Sequence, residues 1–184
     1  MKINTTKIAD VFILAPQLFV DERGFFMESF NQQVFNKAIG YAVCFVQDNH
    51  SRSSRGVLRG LHYQVPPHEQ GKLVRVSQGL VFDVVVDIRR NSPTFGNWVG
   101  AELSGENCHQ MWIPPGLAHG FLVLSESADL LYKTTDYYAP QSERSLRWDD
   151  SNLEIKWPKI EFLVIQSEKD ASASTWQNFL TLSH

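Results

Sequence analysis

The chain has 184 residues, 43% of them apolar and 20% charged, enough for one well-cored domain and short for two. A formal net charge of -3 gives no footprint for nucleic acid or an anionic membrane surface. Two cysteines, Cys44 and Cys108, make neither a disulfide framework nor a metal spacing, so a reduced, cytoplasmic setting is expected.

The first apolar run, Val11 to Ala15, is stopped by Pro16 and is too short for a signal peptide or a membrane span. It reads as a strand near 9–15, followed after the turn Asp21-Glu-Arg-Gly24 by another near 25–30. Residues 31–39 read as a helix, with Asn31 as N-cap and Gly40 just past its end. Strands are then expected near 43–50, 57–64, 72–78, 80–88, 98–103, 110–113, 120–125 and 128–136, with turns at Asn91-Ser-Pro93 and Ser104-Gly105. A short helix capped by Ser174 is a reading of the tail, 171–184, which docks through Trp176 and Phe179 or hangs as a loose end. Many short strands with almost no helix predict a single all-β domain over 1–184, an antiparallel sandwich or barrel.

Two of these strands carry groups that a buried strand does not tolerate cheaply. Arg55-Gly-Val-Leu-Arg-Gly-Leu-His-Tyr-Gln64 holds Arg59 and His62, and Gly71-Lys-Leu-Val-Arg-Val-Ser-Gln-Gly79 opens on Lys72. An unpartnered buried charge costs several kcal/mol or more, so such strands line something polar, with an anionic ligand the leading candidate. Imidazole titrates near neutral pH, which makes His62 a candidate base. One geometric difficulty stands. Arg59 and His62 are three residues apart, and an unbroken strand points them to opposite faces. Both reach one cavity only if the strand is irregular, and Gly60 is where a bulge fits. Along 128–136, period-2 alternation groups Leu130, Tyr132 and Thr134 against Leu131, Lys133 and Thr135, which leaves the direction of Tyr132 open.

A second motif, Pro114-Pro-Gly-Leu-Ala-His119, is a tight corner that places His119 where the next strand begins. It resembles the Pro-x-Gly-x-x-His half-motif of the cupins, jelly-roll barrels (double-stranded β-helices) that often bind a metal through a His-x-His pair. Here that segment reads His62-Tyr-Gln64, and an amide is a poor ligand for a catalytic first-row metal. No metal is expected, and His62 and His119 are read as proton-transfer or hydrogen-bonding groups.

Taken in order, Asp21-Glu-Arg-Gly24, Gln47-Asp-Asn49, Leu58-Arg-Gly-Leu-His62-Tyr-Gln, Gly71-Lys72, Trp112-Ile-Pro-Pro-Gly, His119-Gly-Phe, Leu131-Tyr132-Lys, Glu143-Arg144 and Ser167-Glu-Lys-Asp170 resemble the dTDP-4-dehydrorhamnose 3,5-epimerases. The resemblance implies a metal-free cupin, without cofactor, acting as a homodimer on a dTDP-linked 4-keto-6-deoxy sugar in dTDP-L-rhamnose synthesis. It further implies His62 as base, Asp170 as its orienter, Lys72 as enolate stabiliser and Tyr132 as acid. Asp83 remains a rival orienter, since nothing in the spacing brings 170 near 62. By the same resemblance Arg23, Arg59 and Lys169 bind the pyrophosphate, and Glu28, Gln47, Asp48, Asn49, His119 and Glu143 contact the nucleotide or sugar. Tyr138 stacks on the base, and Arg23 and Glu28 act across a dimer. Arg52, Arg55, Arg75, Arg89 and Arg90 are read as solvated. Rival readings are an epimerase of one centre only, a sugar-nucleotide binding module, and a metal-dependent cupin.

Overall fold

The structure, a computed structural model, describes residues 1–181. Its strands are β1 (Lys2–Thr5), β2 (Phe12–Ala15), β3 (Leu18–Asp21), β4 (Gly24–Met27), β5 (Gln47–Ser54), β6 (Leu58–Gln64) and β7 (Lys72–Gln78). They continue as β8 (Leu80–Asp87), β9 (Trp98–Ser104), β10 (Gln110–Ile113), β11 (Leu117–Val123), β12 (Ser127–Thr134) and β13 (Glu143–Ser145). Three helices, α1 (Gln32–Ile39), α2 (Glu168–Ala171) and α3 (Trp176–Thr181), lie at the periphery. Two antiparallel sheets face each other, in the orders β1-β2-β10-β7-β12-β5 and β13-β6-β11-β8-β9, with β3 and β4 as a separate hairpin. The sheets stay separate in their hydrogen bonding, so the jelly roll is an open sandwich rather than a closed barrel.

Between the sheets, Val74, Val76, Met111, Ile113 and Leu130 of one wall meet Val81, Val85, Leu103, Phe121 and Val123 of the other. The outer face of the five-stranded sheet is also buried. Leu61, Tyr63, Val84, Val86 and Ala118 pack under Leu146, Leu153, Trp176 and Phe179. Burial on both faces explains why β8 reads Val84-Val85-Val86 instead of alternating. Trp176 and Phe179 therefore dock the tail as far as residue 181; the last part of the predicted tail, 182–184, lies outside the described residues.

Helix α1 begins and ends where its caps require. The Asn31 side chain accepts from the amides of Gln33 and Val34, and Gly40 takes the left-handed conformation at φ 88°. Helix α3 starts one residue later than expected, because the Thr175 hydroxyl accepts from Asn178 N–H while Ser174 is held in backbone bonds to Ser145 and Arg147. The strand expected near 43–50 is displaced to 47–54: Val43 and Phe45 pack instead with Phe35 and Trp112 around α1. The polar β5 is a strand because all eight of its residues pair with β12, not because of its own propensity. Strands β1, β3 and β13 are short pieces that alternation did not single out. Strand β11 starts three residues before the expected 120, which puts His119 inside the strand.

The irregularity that Arg59 and His62 require is present. His119 pairs with His62 and Phe121 with Arg59, so two residues of β6 oppose the single Gly120 of β11. Gly60 sits in this bulge at φ +127°, and a Cβ there would lie 2.5 Å from the Gly120 Cα and 2.8 Å from the His119 carbonyl oxygen. Gly60→Ala should therefore destabilise the fold by more than about 2 kcal/mol. Denaturant unfolding checks this, and a near-neutral change would mean that the bulge relaxes freely.

Candidate active site

The bulge turns both Arg59 and His62 toward the space between the sheets, at one end of the sandwich. From the facing wall, β12 pairs Tyr132 with Asn49 and with Val74, an inward core residue, so Tyr132 points inward with Leu130 and Thr134. That settles the direction that alternation had left open. Gln47, opposite Thr134, and Lys72, at the start of β7, share this inner face.

His62 Nε2 lies 2.5 Å from Asp170 Oδ1. Asp170 is buried at the end of a short helix whose N-cap, Ser167, donates its hydroxyl to Asp170 Oδ2 at 2.9 Å. Burial of Asp170 works to raise its pKa, but the His62 hydrogen bond and charge, the Ser167 hydroxyl and the Gly60 amide outweigh it and hold the carboxyl below its usual range. Asp83, the other candidate orienter, is engaged elsewhere. Its fully buried carboxylate meets His119 Nε2 at 2.9 and 3.0 Å.

Lys72 is 9% exposed, and its Nζ donates over 3.4 Å to the His62 carbonyl oxygen. Burial pushes its pKa down to about 8, against the opposing pull of Asp83 and Glu143. The Tyr132 phenol is pushed up by burial and by the charge of Glu143, with Arg59 pulling the other way. Glu143 stands opposite Gln64 on β13. It accepts from the Tyr138 hydroxyl at 2.7 Å and forms an ion pair with Lys169. Arg59 Nε donates to Ser53 at 3.1 Å. Gln47 joins Asn49 at 2.9 Å and accepts from the Tyr138 amide at 3.1 Å.

One group of predicted residues thus lies close together at one end of the sandwich: Arg59, His62, Lys72, Tyr132, Tyr138 and Glu143, with Gln47, Asn49, Lys169 and Asp170 about them. His119 lies deeper, locked to Asp83. Three predicted residues are not brought there by this chain. Asp48 points to the outer face of β5, where its exposed carboxylate holds Lys133 at 2.9 Å, because alternation turns it away from Gln47 and Asn49. Arg23 sits on the exposed β3–β4 hairpin, paired with Asp21, and Glu28 follows it on the surface. Among the arginines read as solvated, Arg89 is a correction: it is bound to Asp87, fully buried, at 2.8 Å.

Sequence reasoning gave Gln64 only a negative part, as the missing ligand. Its Oε1 accepts from Ala139 N–H at 2.8 Å, and its Nε2 donates to the carbonyls of His68 and Tyr137 at 2.5 and 3.2 Å. An amide is committed there at both ends. Among the described residues, no group of three or more His, Cys, Asp or Glu side chains is arranged to hold a metal ion.

A family model described as dTDP-4-dehydrorhamnose 3,5-epimerase matches residues 5–178. The chain is 60% identical over 170 residues to the dTDP-4-dehydrorhamnose 3,5-epimerase of Shigella flexneri, covering 92% of this chain and 93% of the relative. The Escherichia coli enzyme of the same name is 53% identical over 182 residues, 99% of this chain and 98% of its own. The crystal structure of a dTDP-6-deoxy-D-glucose-3,5-epimerase from Legionella pneumophila, in complex with dTDP-4-keto-L-rhamnose, superposes with a TM-score of 0.91 at 55% identity, over 96% of this chain and 93% of that one.

The buried ammonium gives the site a basic limit. Lys72 keeps its proton only below about pH 8, so stabilisation of a developing anion is present below that pH and lost as pH rises through it. The kcat/KM profile should fall above pH 8. In Lys72→Arg, whose guanidinium stays charged, residual activity should lack that limb. A wild-type profile that stays flat well above pH 8 would separate Lys72 from the rate.

Proposed function

Because the chain belongs to the dTDP-4-dehydrorhamnose 3,5-epimerase family, we propose that it converts dTDP-4-dehydro-6-deoxy-D-glucose to dTDP-4-dehydro-L-rhamnose. The observation that carries this reading is the placement of His62 and Tyr132 on facing sheets at one end of the sandwich, with a buried lysine between them.

The C3 and C5 protons of a 4-keto sugar are acidic because the carbanion delocalises into the C4 carbonyl, so the substrate itself supplies the electron sink. His62 removes the proton, with Asp170 fixing the ring and stabilising the imidazolium. The Lys72 ammonium stabilises the enolate oxygen at C4. Tyr132 delivers a proton from the opposite wall, and exchange with solvent resets both groups. No electron is gained or lost overall, and the proposed reaction requires neither metal nor redox cofactor.

Arg59 and Lys169 suit the pyrophosphate, and the exposed ring of Tyr138 suits the base. Support for a homodimer comes from the β3–β4 hairpin, which exposes Phe19, Val20, Phe25 and Phe26 by 56, 74, 56 and 69%. Such a surface calls for a cover. A second copy seated there would carry Arg23 and Glu28 to its partner's site. A cytoplasmic setting without nucleic-acid or membrane partners completes the reading. It is supported by the two unpaired cysteines and by the lack, among the described residues, of any helix long and apolar enough to cross a membrane.

In D₂O with the 4-keto substrate, deuterium should enter at both C3 and C5 with the L-rhamno product. Label at one centre, or at neither, would overturn the assignment. His62→Ala should slow exchange by roughly 10²–10⁴-fold; near-normal rates would remove His62 from the mechanism. Sedimentation at assay concentration should show a dimer, and a clean monomer would refute the proposed role of Arg23 and Glu28.

A further inference from the structure

The segment 136–139 between β12 and the 3-10 turn Pro140–Ser142 has no regular structure of its own, yet it carries Tyr138 to Glu143 and the neighbouring candidate residues. Its backbone groups are held by three glutamine side chains from three different parts of the chain. Gln70 donates to the Asp136 carbonyl at 2.8 Å, Gln47 accepts from the Tyr138 amide at 3.1 Å, and Gln64 takes the two groups that flank Tyr138. Those two are the Tyr137 carbonyl at 3.2 Å and the Ala139 amide at 2.8 Å. Gln64 is 6% exposed and its amide also anchors the His68 carbonyl.

We propose that Gln64 is a positioning residue that acts through Tyr138: it fixes the segment on which the ring is presented and so sets affinity for the nucleoside diphosphate part of the substrate. The inference rests on the functional reading above, in which Tyr138 meets the base. Only a primary amide meets the demands of this position, a donor toward two carbonyls and an acceptor toward one amide. A carboxylate would set its charge against the carbonyls of Tyr137 and His68, and an imidazole has one nitrogen too few for the three contacts. The residue that breaks the His-x-His pattern thus has a positive reason to be glutamine. Its effect passes to the nucleotide end, while His62 two positions earlier serves the sugar.

The test compares wild type, Gln64→Glu, Tyr138→Ala and the double variant, each checked for folding by thermal unfolding. Deuterium exchange gives KM and the saturated rate, and calorimetry gives the dissociation constant for dTDP. Gln64→Glu should raise both KM and the dTDP constant roughly tenfold, as expected for a lost hydrogen bond with an unpaired acceptor, while the saturated rate stays within about threefold. The double variant should bind dTDP within about twofold of Tyr138→Ala, because the two changes remove one interaction. Additive losses, or a fall in the saturated rate with KM unchanged, would overturn the proposal. If Gln64→Glu does not fold, Gln64→Met, of similar length and without the charge, takes its place under the same criteria. A wild type that exchanges no deuterium would defeat the functional reading, and the dTDP cycle would still decide whether Gln64 acts through Tyr138.

Discussion

The geometry of the site depends on two residues of β6 lying against one of β11. Strict alternation would send His62 or Arg59 to the outer face, which is the apolar layer of Leu61 and Tyr63 beneath α3. The extra residue at the bulge restores the phase so that both polar side chains face inward while the apolar ones stay outside. Only glycines allow the strands to come this close. A Cβ on Gly120 would meet the Arg59 carbonyl at 2.7 Å, as one on Gly60 would meet Gly120. The Gly60 amide also supports the Asp170 carboxylate. The bulge therefore positions the imidazole and helps hold the group that orients it.

Behind the imidazole lies a second layer of charge that the fold must tolerate without substrate. Asp83 and His119 satisfy each other in the interior, and the negative field of Asp83 keeps Lys72 from losing its proton more readily than it does. Among the described residues, the Lys72 ammonium donates one long hydrogen bond, to the His62 carbonyl oxygen, and so keeps donors to spare. An anion that develops within reach of it gains what the folded protein alone does not provide. Of the His–Asp pairs among the described residues, His62–Asp170 and His119–Asp83 lie near Lys72 and differ in accessibility. The His62 side chain is 27% exposed, whereas His119 is buried at 7%.

How much of this was legible in the sequence follows from what each signal encodes. Caps are local, so α1 could be placed from Asn31 and Gly40 alone; strands with apolar alternation or continuous apolar runs, such as β7 and β10, likewise announced themselves. The bulge was legible as a contradiction, since two functional residues at odd spacing needed a glycine between them. Strand β5 was not, because a run reading Gln-Asp-Asn-His-Ser-Arg-Ser-Ser becomes a strand only when β12 is beside it. The outward turn of Asp48 follows from that same pairing and was equally hidden. Gln64 was read only as a missing ligand, because a motif defines what is absent from a position, while three backbone partners define what is needed there.

The partner of His62 was beyond the reach of any spacing argument, for it lies 108 residues away. What brings it there is the outer apolar layer. Leu146 pairs with Leu61 through two backbone hydrogen bonds and bridges to Ser174, and the Asp150 carboxylate caps the first amide of α3. Trp176 and Phe179 then clamp this assembly on the back of β6, the strand whose front presents His62. Helix α2, with Asp170, is carried in the chain between these anchors. The segment after the last long strand, which composition alone leaves featureless, thus delivers the carboxylate and fixes its distance from the imidazole. Packing on the outside of the sheet and proton chemistry on the inside are two faces of one strand, and they are coupled through it.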